Sequence, residues 1–228
     1  MRKLLVANWK AHKNIVQAEY WLNNFPFELL NNKPNLRLVI APPYPFLSRM
    51  QRLIEHQALP VELAVQDVSA YGEGAFTGEV AASNLEFLAV KMAIVGHSER
   101  RRLFGENCQQ VSEKVHQAQA AKLEALLCLD ESNIQEQAKL LTDAEKARLH
   151  IAYEPAAAIG SGQALTAKEL VKVWQKFKPL FPDSLWLYGG SVDVSNVDQL
   201  LAVSDGLLIG GAALDLHNFS QLITATTD

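Results

Sequence analysis

Three side chains that could carry out acid–base or electrostatic chemistry follow short apolar segments of the chain. They are Lys10, His97 and Glu154. Imidazole and carboxylate groups transfer protons, and an ammonium group stabilises negative charge on oxygen. Taken singly, each also has a structural explanation: a surface cation, a polar residue at a strand end and a partner for a helix cap. Together they predict an active site if the fold brings them to one place.

Two glycine pairs could bind an anion. Gly189-Gly190 precedes Ser191, and Gly210-Gly211 follows another apolar run. Either pair could be a simple turn. However, backbone N–H groups can hold a phosphate only where no Cβ keeps it away, which favours glycine. With the cation, the imidazole and the carboxylate, the pairs predict a phosphate site.

The apolar segments themselves read as strands. Each is rich in Leu, Ile, Val or Ala without polar alternation, as expected for parallel strands that are buried on both faces. Eight strands are predicted: Lys3–Asn8, Leu36–Ala41, Glu62–Gln66, Met92–Val95, Ala125–Cys128, His150–Tyr153, Trp186–Tyr188 and Gly206–Ile209.

Between the strands, apolar residues recur at helical spacing. Stripes lie within residues 15–25, 111–118 and 134–141, and Pro26 should end the first helix. Thr166 to Glu169 form a capping box in front of a fourth stripe.

A strand followed by a helix, eight times, predicts one closed α/β barrel that occupies residues 1–228 as a single domain. A doubly wound open sheet is the alternative, because the number of strands does not prove closure. The interval from Asp130 to Leu149 is short, so trimmed helices are expected there. In a barrel the carboxyl ends of all strands meet at one mouth, which would collect the reactive residues.

The bulk composition excludes several other functions. The 228 residues carry a net charge of −4, which offers no electrostatic reason to expect nucleic acid or an anionic membrane as partner. The two cysteines, Cys108 and Cys128, do not have metal-ligand spacing, so no metal site is expected, and they suit a reducing compartment. No apolar stretch reaches transmembrane length, and the cytoplasm is the expected location.

Seven segments, in order from the first strand to the last, closely resemble the triosephosphate isomerase family. They are NWK at 8–10, GAFTGE at 74–79, GHSERR at 96–101, AYEP at 152–155, AIGSG at 158–162, YGGSV at 188–192 and GLLIGGAAL at 206–214. The ordered set is far more specific than any one of its members.

The resemblance implies a (β/α)8 TIM barrel that interconverts dihydroxyacetone phosphate and glyceraldehyde 3-phosphate through an enediolate, without a cofactor, in glycolysis and gluconeogenesis. It implies that Glu154 removes the proton from carbon and that His97 polarises the carbonyl as a neutral imidazole. Lys10 would supply positive charge, Asn8 would orient Lys10, and Glu99 would support them or relay a proton.

The same resemblance implies that Gly160, Ser191, Gly210 and Gly211 bind the substrate phosphate, together with Asn8 and Lys10 as further substrate-binding residues. Segment 155–164 matches the family's lid, which closes over substrate and excludes water. Tyr188 and Ser191 would latch the closed lid. The lid departs from the common family pattern, since Ala156-Ala157 stand where many members have Val-Trp.

Segment 67–80 resembles the loop that docks beside the active site of a second subunit, which implies a homodimer. Thr77 would then support the catalytic lysine and asparagine of the partner, and Glu79 could pair with Arg100 across the interface. A tetramer is the alternative assembly.

Two alternative functions use the same residues. An isomerase of four-carbon ketose phosphates would need the same base, electrophile and phosphate site. A catalytically weak homologue that binds phosphate ligands would need the glycines but not Glu154.

Overall fold

A computed structural model describes residues 3–155 and 163–226 of the chain. Eight parallel strands form a closed barrel in the order β1 to β8, with β8 paired to β1. The strands are β1 Lys3–Asn8, β2 Leu36–Ala41, β3 Glu62–Val65, β4 Val90–Val95, β5 Glu124–Leu129, β6 Leu149–Tyr153, β7 Leu185–Tyr188 and β8 Gly206–Ile209. The predicted (β/α)8 TIM barrel is therefore confirmed, and the open-sheet alternative is wrong. The predicted strand limits differ from the observed ones by at most two residues.

Helices surround the barrel. In the described residues they are α1 Ile15–Asn24, α2 Leu47–Gln57, α3 Ser98–Phe104, α4 Cys108–Ala120, α5 Ile134–Leu140, α6 Asp143–Lys146, α7 Ala167–Phe177, α8 Val197–Val203 and α9 Leu216–Ala225. None of these helices is long and apolar enough to cross a membrane.

The predicted helix limits have the expected local causes. Helix α1 ends two residues before Pro26, which cannot continue it. Thr166 caps α7: its hydroxyl accepts from the Glu169 N–H, and the Glu169 carboxylate accepts from the Thr166 N–H at 2.8 Å. The interval after β5 holds only the seven residues of α5 and the four of α6, so the trimmed helices are confirmed.

Two apolar layers hold the barrel together. Inward-facing residues of the strands fill its interior, among them Val6, Val39, Ile94 and Leu126, all fully buried. Outward-facing strand residues pack against the helices in a larger cluster. Burial on both faces is why the strands carry unbroken apolar runs.

Closure of the barrel depends on Gly206. A Cβ at this position would overlap the carbonyl oxygen of Leu4 on the neighbouring strand β1. Because that atom belongs to the backbone of a paired strand, it cannot move without opening the β1–β8 ladder.

The amino-terminal end of the barrel is filled by charged residues. Arg37 donates to both oxygens of Glu124, at 2.6 and 2.8 Å, and also to Glu62. His150 Nε2 lies 3.1 Å from the same Glu124 carboxylate. Burial raises the pKa of Glu124, but the hydrogen bonds from His150 and Arg37 outweigh it and lower the pKa to about 2.

We predict that Gly206→Ala lowers the free energy of unfolding by about 3 kcal/mol or more, because the added methyl group has no space at the closing strand pair. Urea unfolding followed by circular dichroism measures this. Glu86→Ala is the control: it changes an exposed side chain outside the closing strand pair, so a change within about 0.5 kcal/mol is expected. Equal effects of the two substitutions would contradict the role of Gly206.

We also predict that Glu124 contributes to acid unfolding. Its pKa in the folded protein lies below the usual 4.5, so its stabilising contribution is complete above pH 4.5 and is lost as the pH falls towards about 2. Glu124→Gln should lower stability at pH 7 and reduce the further loss between pH 4.5 and 2, measured by urea unfolding at several pH values. Glu86→Gln, at an exposed position, is the control. A parallel pH dependence in parent and Glu124→Gln would contradict this contribution.

Candidate active site

The carboxyl ends of the strands surround a cavity of about 530 Å³. Its lining includes most of the residues predicted from the sequence: Asn8, Lys10, His97, Glu99, Glu154, Ser191, Gly210 and Gly211. These residues follow strands β1, β4, β6, β7 and β8. Closure of the barrel thus brings together side chains that are up to about 200 residues apart in sequence.

His97 lies at a sharp corner between β4 and α3. Gly96 turns the chain there with a φ of 66°, and a Cβ on it would come within 2.8 Å of the Arg101 guanidinium. His97 caps α3, because its Nδ1 accepts from the Glu99 backbone N–H at 3.2 Å. Nδ1 is therefore the ring nitrogen that acts as acceptor in this contact. Helix α3 therefore begins directly after His97.

Glu154 is buried against this corner. Its Oε1 lies 3.1 Å from His97 Nε2, and its Oε2 accepts from the Ser98 N–H at 3.0 Å. Only 4% of the Glu154 side chain is exposed. Gly189 gives it room, because a Cβ at 189 would lie 2.9 Å from Glu154 Cγ. The carboxylate and the imidazole are thus direct neighbours in a buried part of the cavity.

Lys10 has a left-handed backbone, with a φ of 51°. Its N–H donates to the Asn8 side chain at 3.0 Å, and its ammonium group donates to Glu99 at 2.6 Å. The end of the side chain passes over Gly210, where a Cβ would lie 3.3 Å from Lys10 Cε. The ammonium group is therefore held between α3 and the glycine pair after β8.

The charge of Glu99 is stabilised by its contact with Lys10. Burial raises the pKa of Glu99, but the hydrogen bond and the positive charge of Lys10 outweigh it, so the pKa lies below the usual value. Glu99 is thus an ionised partner of Lys10.

Two residues that the sequence did not single out support these groups. Gln66, directly after β3, donates to the carbonyl of Lys10 at 2.8 Å and to that of Ala41 at 2.9 Å. Cys128 on β5 is buried next to Glu154, and burial together with that carboxylate raises the pKa of its thiol. Gln66 could have been found from its position, because it is a polar residue at the carboxyl end of a predicted strand. Cys128 carried no such signal.

The glycine pair after β7 has a second role. A Cβ at Gly190 would overlap the hydroxyl group of Tyr188, so glycine leaves this hydroxyl in place. The Tyr188 hydroxyl accepts from the Leu165 N–H at 2.9 Å. Tyr188 therefore holds the chain three residues beyond segment 156–162.

Some predicted residues are not in this cavity. Gly160 and the lid residues 156–162 lie outside the described residues, so their assignment stays a prediction. Thr77 belongs to an exposed loop, residues 71–79, and does not line the cavity. Arg100, which was expected to meet Glu79 of a second subunit, contacts Asp67 at 2.8 Å and Glu106 at 2.5 Å within its own chain.

The described residues contain no group of three His, Cys, Asp or Glu side chains that could hold a metal ion. The polar groups that line the cavity include the Glu154 carboxylate beside the His97 imidazole, the Lys10 ammonium group with Glu99, and two glycine-rich turns. In a closed (β/α)8 barrel, this combination is that of a proton-transferring isomerase whose substrate carries an anionic group.

Comparison with known proteins agrees with this class. Residues 3–226 match the triosephosphate isomerase family. The chain is 38% identical to the triosephosphate isomerase of Synechococcus sp. (strain CC9311), over 97% of this chain and 98% of the relative. It is 34% identical to those of Mesomycoplasma hyopneumoniae (strain 7448) and Synechocystis sp. (strain ATCC 27184 / PCC 6803 / Kazusa), over 98% of this chain in each case and 99% and 98% of the two relatives. The chain belongs to the triosephosphate isomerase family, and the protein is an isomerase.

Proposed function

We propose that Glu154, His97, Lys10 and Asn8 carry out the interconversion of dihydroxyacetone phosphate and glyceraldehyde 3-phosphate, the reaction of this enzyme family. The contact between the Glu154 carboxylate and the His97 ring is the observation that carries the proposal. It places a base and a hydrogen-bond donor side by side, as proton transfer next to a carbonyl requires.

In the proposed first step, Glu154 removes a proton from the substrate carbon next to the carbonyl. Both of its oxygens are engaged by His97 and Ser98 in the structure, so the carboxylate has to rotate away from this corner to reach substrate. Only 4% of the side chain is exposed, so little water competes for the proton during the step.

His97 and Lys10 stabilise the negative charge that then develops on the carbonyl oxygen. The Nε2–H of His97 is available as a donor because Nδ1 is occupied by the Glu99 N–H. Lys10 supplies positive charge, and Asn8 holds its backbone. Glu99 fixes the ammonium group of Lys10, which makes it a supporting residue in this proposal.

The phosphate group of the substrate binds to Ser191, Gly210 and Gly211, and Gly160 is the fourth proposed contact. Support comes from the position of the first three in the cavity lining, with Lys10 over Gly210. Loops after strands β7 and β8 are the usual phosphate site of this barrel.

The reaction moves protons only and therefore needs no redox cofactor. Glycolysis and gluconeogenesis in the cytoplasm are the proposed setting, since triose phosphates are metabolised there. We also propose that residues 1–228 form one domain, and the closed barrel of the described residues supports this.

We propose a homodimer through the loop that carries Thr77. All residues from 71 to 79 are exposed, and the rings of Tyr71 and Phe76 stack at 4.4 Å on this loop. An outward-pointing apolar pair on a protruding loop favours burial in a second subunit. A tetramer is the alternative.

Glu154→Gln should reduce kcat for glyceraldehyde 3-phosphate by about 10³-fold or more, because the amide cannot accept the proton. A coupled assay measures this, with Glu131→Gln as the control at an exposed carboxylate. Side-by-side kcat/KM values for three- and four-carbon substrates distinguish the two isomerase alternatives. Binding of a phosphate analogue without proton exchange at substrate carbon would favour the phosphate-binding protein instead.

Phe76→Asp should convert the dimer into monomers, because it places a charge in the proposed apolar contact. Sedimentation equilibrium measures the mass. Phe87→Asp is the matched control, since Phe87 is 90% exposed outside the loop at residues 71–79 and should leave the dimer intact. A parent protein that sediments as a monomer would contradict the proposed assembly.

A further inference from the structure

The loop after β1 contains two left-handed residues that are not glycine. Lys10 has a φ of 51° and Lys13 a φ of 70°. This conformation costs an L-residue with a Cβ roughly 1–2 kcal/mol, and such residues persist only where their surroundings hold them. Lys10 lies in the active site, whereas Lys13 is not among the described residues that line the cavity. Its conformation therefore needs another explanation.

The Lys13 side chain connects this loop to the segment after β8. Its ammonium group donates to the carbonyl of Leu214 at 2.6 Å and lies 5.0 Å from the ring centroid of Trp9. Trp9 is fully buried, so the lysine stem covers the core at this point. Burial lowers the pKa of Lys13, and the negative charge of Asp215 opposes that shift. The ammonium group is thus tied to a specific carbonyl.

Leu214 ends the short 3₁₀ turn that begins at Gly211. The Ala213 N–H donates to the carbonyl of Gly210 at 2.9 Å, and the Leu214 N–H donates to that of Gly211 at 3.1 Å. Gly210 and Gly211 line the cavity at the other end of this turn. Lys13 therefore holds the carboxyl-terminal end of the turn whose first residues face the cavity.

We propose that Lys13 is a positioning residue for phosphate binding, which acts through the turn at residues 210–214. The proposal rests on the proposed function, in which Gly210 and Gly211 bind the substrate phosphate. A positive charge at the carboxyl-terminal end of a helical turn stabilises the turn. The same contact fixes the distance between the loop that carries Lys10 and the glycine pair, so both halves of the anion site are ordered before substrate arrives.

This role predicts a particular kinetic pattern. Loss of the ammonium group should weaken the binding of every ligand with a phosphate group. It should leave kcat nearly unchanged, because Glu154 and His97 are held by contacts at the start of α3, and Lys10 is held by Asn8 and Glu99. A residue that only stabilised the fold would change the melting temperature without this selective loss of affinity.

Two substitutions separate the charge from the backbone. Lys13→Met keeps the left-handed strain and an apolar stem but removes the ammonium group. Lys13→Gly removes both the ammonium group and the strain, so it should fold even if Lys13→Met does not. Lys122→Gly is the matched control: Lys122 is an exposed lysine with a φ of 62° at the end of α4, far along the chain from the cavity loops.

The probes are inorganic phosphate, as a competitive inhibitor, and glyceraldehyde 3-phosphate, as substrate. We expect both Lys13 variants to raise the inhibition constant and KM by about 3- to 10-fold, with kcat within about 3-fold of the parent. Lys122→Gly should leave all three values within about 2-fold of the parent. Lys13→Arg should recover part of the affinity, because its guanidinium group can also donate to a carbonyl.

Unchanged inhibition by phosphate in both Lys13 variants would overturn the proposal while leaving the proposed function intact. A fall in kcat with unchanged inhibition would also overturn it. The failure of the proposed function looks different, since the parent itself would then show no turnover. In that case the rise in melting temperature with added phosphate still tests Lys13, because ligand binding stabilises the folded state without any catalysis.

Discussion

The pairing of β8 with β1 is the contact on which the rest of this structure depends. Leu4 to Ala7 lie in register with Gly206 to Ile209, and glycine at 206 allows the two backbones to approach. Residues that follow these strands therefore become neighbours across the ends of the chain. Lys10 comes to lie over Gly210, and Lys13 reaches Leu214, only because the first and last strands are adjacent. An open sheet with the same strand order, β1 to β8, would place the Lys10 ammonium group and the glycine pair at opposite edges.

The second organising feature is the corner between β4 and α3. At this corner the Glu99 N–H donates to His97 and so orients the ring, and the Ser98 N–H donates to the Glu154 carboxylate. The Glu99 side chain accepts a hydrogen bond from Lys10. The same short segment thus sets the orientation of the imidazole and the resting position of the carboxylate. Arg101 stabilises the corner by donating a hydrogen bond to the Gly96 carbonyl at 2.8 Å. A small shift of this corner would therefore move His97, Glu154 and Glu99 together.

The two ends of the barrel use charge in different ways. At the amino-terminal end, Arg37 satisfies both Glu62 and Glu124, so the charges there are paired with each other. At the carboxyl-terminal end, Lys10 pairs with Glu99, whereas the described neighbours of the Glu154 carboxylate are the His97 ring, the Ser98 N–H and the Cys128 thiol. A carboxylate that is not paired with a lysine or arginine remains available to accept a proton.

The strands and helices, their order and most of the proposed site residues in the cavity could be predicted from the sequence. Unbroken apolar runs predict strands that are buried on both faces. Helices and caps such as Thr166 depend on residues only three or four positions away, so they too can be recognised in the sequence. Lys10, His97 and Glu154 could be selected because the ends of predicted strands meet at one mouth of a barrel. Three contacts became visible only in the tertiary structure: the close approach of β1 and β8 at Gly206, the hydrogen bond from Gln66 to the Lys10 carbonyl and the hydrogen bond from Lys13 to the Leu214 carbonyl. These contacts join residues that are 56 to about 200 positions apart. No local sequence pattern predicts these contacts, because the two residues meet only after all the strands between them have paired in the correct register.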